Sequence, residues 1–232
     1  MQTMTPPPTT LRVNEVFYSF QGEATHAGTP AIFIRLQGCP VGCSWCDTKH
    51  TWPEAPGTPI PFTELIAKDS ASPTWANASI SDILAYLDRS PGIPLVVITG
   101  GEPLAQDIYN LICAIIDTGR QVQVETSGTH NVIVPADTWV TVSPKIDMPG
   151  GLPIKWQAIH RADEIKLPVA SKADIDAFLA LVTKNDIGDD LPVWLQPIDL
   201  RPELTDLCVN TAIHHPFGFK VSIQTHQYVG AR

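Results

Sequence analysis

The chain has 232 residues, and its 15 Lys and Arg against 24 Asp and Glu leave a formal net charge of −9. That balance excludes an electrostatic nucleic-acid binder, which needs a basic face to displace phosphate counterions. With 44% hydrophobic and 17% charged residues, there is apolar mass for one sizeable core and too little charge for a disordered chain.

The opening MQTMTPPPTT has neither the basic nor the apolar region of a secretory signal. It is expected to be a flexible lead, residues 1–10, ahead of a single domain over 11–232. The run AIFIRL at 31–36 reads as the first strand, and Pro53 to Asn77, rich in Pro, Thr, Ala and Ser, as an insertion in a crossover. Ile80, Ile83, Leu84 and Leu87 recur at helical spacing before the strand LVVIT at 95–99. A second helix carries Ile108, Leu111, Ile112, Ile115 and Ile116 and stops near Gly119. Strands follow at 121–126, 139–143 and 163–167, then a helix over about 172–184 with Ile175, Phe178, Leu179 and Val182 on one face. A strand at 192–196 and a helix after Pro202, bearing Leu204, Leu207 and Cys208, come next, and GFKVSIQTH could add an edge strand. No apolar run approaches the ~20 residues of a bilayer span.

Strands alternating with helices imply parallel strands joined by crossover helices. About six such strands fall short of the eight of a full barrel, so the expected fold is α/β, a partial, open TIM-like barrel. The unusual residues all follow strands: a Cys loop after 31–36, Gly100 to Pro103 after 95–99, Ser127-Gly128 after 121–126, Pro144-Lys145 after 139–143 and Pro197 after 192–196. Parallel strands put their carboxyl ends on one rim, so these segments are expected to meet in one pocket.

Five cysteines are present, an odd number suited to a reducing cytoplasm. Cys39, Cys43 and Cys46 form a C-x-x-x-C-x-x-C run among Gly38, Pro40 and Gly42, soft ligands that suit an iron-sulfur cube with one iron left open. His50 could instead complete a three-Cys, one-His zinc knuckle. Cys113 and Cys208 lie on apolar helix faces and read as buried, unligated thiols. His26, His130, His160, His214 and His215 have no partner pattern and read as surface or structural.

The three-Cys run resembles that of the radical S-adenosylmethionine (SAM) superfamily. Phe20-Gln21-Gly22-Glu23, Phe33 to Cys39, Trp45 to Trp52, Thr99 to Pro103, Glu125 to Thr129, Val142 to Lys145 and Gln196-Pro197 are similar, over nearly the whole chain, to the 7-carboxy-7-deazaguanine synthase family of queuosine biosynthesis, a tRNA-modification pathway. The resemblance implies a carbon–nitrogen lyase that converts 6-carboxy-5,6,7,8-tetrahydropterin to 7-carboxy-7-deazaguanine with loss of ammonia. A 5′-deoxyadenosyl radical would abstract the hydrogen at C6, and ring contraction would follow.

It further implies a 4Fe-4S cluster on Cys39, Cys43 and Cys46, Mg²⁺ at Thr48, and substrate contacts from Phe20, Gln21, Gly22, Glu23, Arg35 and Thr99. Arg35 would pair with the substrate carboxylate, a task suited to a guanidinium fork, and Gln21 and Glu23 would meet the aminopyrimidinone edge. SAM contacts would come from Trp45, Cys46, Asp47, Gly101, Glu102, Ser127, Ser143, Pro144, Lys145 and Gln196, with Glu102 or a carbonyl accepting from the ammonium. For Thr48 and Glu102 the residues alone allow a second reading, a turn cap. A homodimer, an electron donor such as flavodoxin, a cytoplasmic location, and neither nucleic acid nor membrane as partner complete the expectation. One departure from the family pattern is Ala24, where glycine is common after Gln-Gly-Glu; a positive φ there would strain the alanine by roughly 1 kcal/mol or more.

Overall fold

The computed structural model describes residues 10–68, 72–185, 190–199 and 201–231. In chain order the elements are β1 (Thr10–Phe20), β2 (Pro30–Leu36), α1 (Phe62–Leu65), β3 (Ala76–Ser79), α2 (Ile80–Leu87), β4 (Leu95–Gly100), α3 (Tyr109–Ile116), β5 (Gln121–Thr126) and β6 (Trp139–Val142). There follow α4 (Trp156–Arg161), β7 (Glu164–Val169), α5 (Lys172–Asn185), β8 (Val193–Pro197), α6 (Pro202–His214), β9 (Lys220–Val221) and α7 (Thr225–Val229). Among the described residues the strands form one open nine-stranded sheet in the order β3-β1-β2-β4-β5-β6-β7-β8-β9. Every neighbouring pair from β2 to β9 is parallel.

Each expected strand and helix forms within a few residues of its place. Ile83 and Leu87 of α2, Leu111, Ile112 and Ile115 of α3, and Ile98 and Val124 of the strands beneath them are fully buried in one cluster. A second cluster joins Ile175 and Phe178 of α5 and Cys208 of α6 to Val142, Ile165 and Leu195. Each such Leu, Ile or Phe contributes about 1.5–3 kcal/mol relative to an exposed position. Helix α2 is started by a reciprocal cap: Ser79 Oγ accepts from Asp82 N (3.1 Å), and the Asp82 carboxylate accepts from Ser79 N (3.0 Å). The turn after α3 closes at Gly119, φ +84°, as expected.

Two expectations are corrected, the place of the first strand and the end of the lead. The first strand is β1, not the run at 31–36, and it is antiparallel to both neighbours, pairing Glu15 with Arg35 and Phe17 with Phe33. It begins at Thr10, so only residues 1–9 of the expected lead fall outside the described residues. The stretch 53–77 contains α1 and runs into β3, which pairs with β1; Trp75 Nε1 donates to the Pro56 carbonyl (2.9 Å), and Gln37 Nε2 to the Pro53 carbonyl (2.6 Å). These residues close the β1 edge of the sheet, which would otherwise present unpaired backbone groups. Helix α4 was not foreseen.

The inner face of the sheet is divided. Toward β1, β2 and β4 it is apolar, with Ala31, Phe33, Leu95 and Val97 together and Phe17 stacked on Phe33 at 5.2 Å between ring centroids. Toward β5, β6 and β7 it is polar: Gln123 Nε2 donates to Thr141 Oγ1 (2.9 Å), and Thr141 Oγ1 to the Glu164 carboxylate (2.7 Å). Among the described residues no helix is long and apolar enough to cross a membrane.

Candidate active site

At the carboxyl ends of the parallel strands lies one cavity, lined by nearly every residue singled out in the sequence. Cys39, Cys43 and Cys46 are on its wall with Phe20, Gln21, Glu23, Arg35, Trp45, Asp47, Thr48, Thr99, Gly101, Glu102, Ser127, Ser143, Lys145 and Gln196. Gly22 and Pro144 are not on that wall. Gly22 is a packing point: its carbonyl accepts from Thr225 N (3.0 Å) and Oγ1 (2.9 Å), and a Cβ would stand 2.3 Å from His226 Nδ1. Pro144 belongs to a segment whose neighbours lace onto the end of β5, Ser143 N to Thr126 O (2.8 Å) and Lys145 N to Ser127 O (3.2 Å).

The Cys loop is shaped by backbone that only glycine adopts without strain, Gly38 at φ +104° and Gly42 at φ +73°. Gly38 N donates to Thr51 O (2.7 Å) and Cys39 N to Trp52 O (3.1 Å), which fixes the loop from one side; Gly150 N donates to Val41 O (2.9 Å) from another. Gly101 was expected to admit a ligand. It also admits the Cys loop, since a Cβ there would fall 2.1 Å from Gly38 O. Its N–H donates to Leu36 O (2.9 Å), and Glu102 N to Gly38 O (2.8 Å).

These residues fit an iron-sulfur cube. All five cysteines are free thiols. Burial pushes the Cys39 thiol up to about 11 and raises Cys43 as well, so the bare site holds them protonated, and a metal group that takes thiolates releases those protons on binding. His50, the fourth ligand of the zinc alternative, has its Nε2 3.7 Å from Glu15 Oε1. No group of three His, Cys, Asp or Glu among the described residues is gathered for a single ion, whereas a cube takes each thiolate on a different iron.

Arg35 points its guanidinium over the Phe17 ring, 5.5 Å to the centroid, and donates through Nε to Glu15 Oε2 (3.3 Å). Its two terminal amino groups make no hydrogen bond among the described residues and are left for an anion. Thr48 makes no capping bond to the turn it precedes, and its Oγ1 is 3.4 Å from Cys46 Sγ. Glu102 does act as a cap. Its carboxylate accepts from Leu104 N (3.0 Å), Thr126 Oγ1 (2.7 Å), Ser127 N (2.8 Å) and Ser127 Oγ, which makes it a brace between the strand ends. Lys145 donates to Ser143 Oγ and lies 5.0 Å over the Trp45 ring; burial lowers its ammonium below the usual lysine range.

Sequence reasoning missed Glu125, Lys166, Gln224 and His226, all on the same wall. Lys166 Nζ donates to Glu23 Oε2 and to Glu125 Oε2 (2.8 Å). Burial alone would raise the Glu23 carboxyl, but the Lys166 charge and its hydrogen bond pull it down to about 2. Burial would likewise depress Lys166, yet Glu125 and Glu23 hold it above the usual range. A carboxylate so depressed stabilises the fold above its ordinary value of 4.5 and loses that contribution as pH falls toward 2. The difference in unfolding free energy between wild type and Glu23→Gln is therefore expected to shrink from pH 5 to pH 2 in urea titrations; a constant difference would mean that the pair is not ionic.

Ala24 has the positive φ, +54°, and its N–H donates to Ser222 Oγ (2.9 Å). Ala24→Gly removes about 1–2 kcal/mol of strain and adds about 0.5–1 kcal/mol of unfolded-chain entropy. Its expected effect is a net gain of about 0.5 kcal/mol, read from the urea midpoint. A clear loss of stability would contradict the strain. Of the other histidines, His26 packs edge-on against Trp139 and His160 against Trp156, and His130 Nδ1 is 3.0 Å from Thr129 Oγ1, all structural contacts.

Comparison with known proteins relates the whole chain to others. Residues 33–146 match the radical SAM superfamily. The chain is 45% identical over 220 residues to the 7-carboxy-7-deazaguanine synthase of Escherichia coli (strain K12), covering 94% of this chain and 97% of that one. It is 35% identical over 221 residues to the 7-carboxy-7-deazaguanine synthase of Bacteroides thetaiotaomicron, covering 95% and 98%. Its fold matches the crystal structure of QueE from Escherichia coli with a TM-score of 0.87 and 44% identity, over 94% and 95% of the two chains.

Proposed function

The chain belongs to the 7-carboxy-7-deazaguanine synthase family within the radical SAM superfamily, and from this membership we propose how its residues divide the work. The enzyme converts 6-carboxy-5,6,7,8-tetrahydropterin to 7-carboxy-7-deazaguanine with loss of ammonia, in queuosine biosynthesis. The observation that carries this reading is the cavity in which three free thiols, the terminal amino groups of Arg35 and a floor of carboxylates and amides meet.

Cys39, Cys43 and Cys46 would hold the 4Fe-4S cluster. When bound, the cluster would supply the single electron that SAM-dependent radical chemistry needs, and C6 of the pterin would be where that chemistry begins. The chain's own residues bind, orient and shield. The Arg35 fork takes the substrate carboxylate, held from behind by Glu15 and flat on Phe17. Gln21, Glu23 and Thr99 face the bicyclic ring, with the phenyl groups of Phe17, Phe20 and Phe33 as apolar wall. Holding the ring in one pose matters because a primary carbon radical attacks what it meets.

Trp45, Asp47, Ser127, Ser143, Lys145 and Gln196, with the Gly101 backbone, would hold SAM, and Glu102 would set the positions of Ser127 and Thr126. Thr48 would ligate Mg²⁺. A lone hydroxyl beside substrate oxygens and waters suits this ion, which keeps much of its hydration shell, and the missing cap bond supports that use. The family resemblance supports a homodimer and a one-electron donor such as flavodoxin. Five unpaired cysteines accord with a cytoplasmic setting.

The test is turnover. Reduced, cluster-loaded protein incubated with SAM and the carboxytetrahydropterin is expected to yield 7-carboxy-7-deazaguanine and 5′-deoxyadenosine by mass spectrometry. Abundant 5′-deoxyadenosine without the deazapurine would reject the substrate.

A further inference from the structure

Lys166 sits on β7, 6% exposed, between two carboxylates brought from separate parts of the chain: Glu23 from the loop after β1 and Glu125 from β5. Each carboxylate spends its second oxygen on an amide, Glu23 Oε1 accepting from Gln224 Nε2 (2.8 Å) and Glu125 Oε1 from Gln21 Nε2 (2.9 Å). Gln21 Nε2 is itself anchored on Gln123 Oε1 (3.0 Å). Because both carboxylates reach one Nζ, their nearest oxygens are within about 6 Å of each other. Each carboxylate offers roughly four acceptor sites, so one donor per oxygen leaves room for a ligand.

We propose that Lys166 is a positioning residue that keeps Glu23 and Glu125 ionised side by side, as a paired acceptor for the amino and ring N–H donors of the pterin's aminopyrimidinone edge. The inference rests on the substrate reading above and extends it to a residue that acts on the substrate through the two carboxylates it holds. The charge arithmetic supports it: two carboxylates and one ammonium leave a single negative charge facing a neutral edge of donors. Without the ammonium, like charges at this separation cannot both persist in a buried site, and one carboxylate takes a proton. A protonated carboxyl then presents a donor to a donor, which repels the ligand. The low position of Glu23 and the high position of Lys166 on the pH scale agree with the intact triad.

The other charged groups around the triad are Lys145 after β6, His226 of α7 beside Glu23, and Glu164 one layer below on β7, whose carboxylate accepts from Thr141 Oγ1 and Thr25 Oγ1. They are present in wild type and in every variant below, and because the Lys166 charge itself lowers Lys145, the comparison that isolates the carboxylates is between variants that all lack Lys166.

The experiment is calorimetric titration of cluster-loaded protein, with SAM and without reductant, using 6-carboxypterin as the unreactive probe between pH 5.5 and 7.5. Wild-type affinity is expected to change less than about threefold over that range, while Lys166→Met weakens by at least about tenfold at the acid end relative to the neutral end. Lys166→Arg restores the flat profile. The triple variant Lys166→Met, Glu23→Gln, Glu125→Gln removes every titrating group of the triad; its affinity is lower but loses the slope of Lys166→Met. A Lys166→Met profile parallel to wild type, or a triple variant that keeps the slope of Lys166→Met, overturns the inference while leaving the substrate reading intact. No binding of the probe by wild type removes the substrate class, and the inference with it.

Discussion

Replacing Cys43 by alanine is expected to give a folded, colourless protein that retains little iron or sulfide after anaerobic reconstitution and forms 5′-deoxyadenosine roughly a thousandfold more slowly, or not at all. The fold survives because the lost atom is small and the loop is held elsewhere, by Gly38 on Thr51 and by Gly150 on Val41. The cavity left by one sulfur costs about 1 kcal/mol. The chemistry does not survive, since no side chain in the cavity supplies an electron at the required potential. A brown Cys43→Ala protein with full iron would mean that the cluster is held by a different set of thiols.

Replacing Arg35 by alanine is expected to separate the cluster from the substrate. Arg35 pairs with Glu15 and lies over Phe17, and among the described residues it has no hydrogen bond to a cysteine, so iron content and absorbance are expected to stay at wild-type levels. Lys68 at 3.9 Å remains beside the Glu15 carboxylate, which keeps it partly compensated. A bidentate charge-assisted pair is worth about 3 kcal/mol, or roughly a hundredfold in kcat/KM. The loss should fall mainly on KM if the carboxylate contact is the same in ground and transition states. Loss of the cluster in this variant would make Arg35 structural, and unchanged kcat/KM would place the substrate carboxylate elsewhere.

The parts of the fold legible in the sequence are those whose burial is two-sided. Strands β2, β4 and β8 are near-continuous apolar runs because helices cover one face and the cavity side covers the other. β1 escaped because TLRVNEVFYSF places Asn14 and Glu15 in its middle, and both are buried, at 0% and 5% exposure; buried polar residues there read as a solvent face. β3 is ANAS, with no apolar period at all. The same blindness hid Glu125 and Lys166. Each is a charge inside a strand that had already been read, and a charge within a strand covered on both faces marks the interior of the barrel. His226 sits beyond the last long helix, and only contact with Gly22 brings it to the cavity. The rim residues were legible for the opposite reason: Gly, Pro, Cys and Ser after a strand have few structural uses, and the parallel topology leaves them one place to go.

The account requires that the substrate ring lie against the nucleoside within this one cavity, with its C6 hydrogen as the atom removed. Turnover of carboxytetrahydropterin carrying deuterium at C6 reads that contact. The expected result is deuterium recovered in 5′-deoxyadenosine. Deuterium that stays in the deazapurine or exchanges into water, with 5′-deoxyadenosine unlabelled, would contradict it.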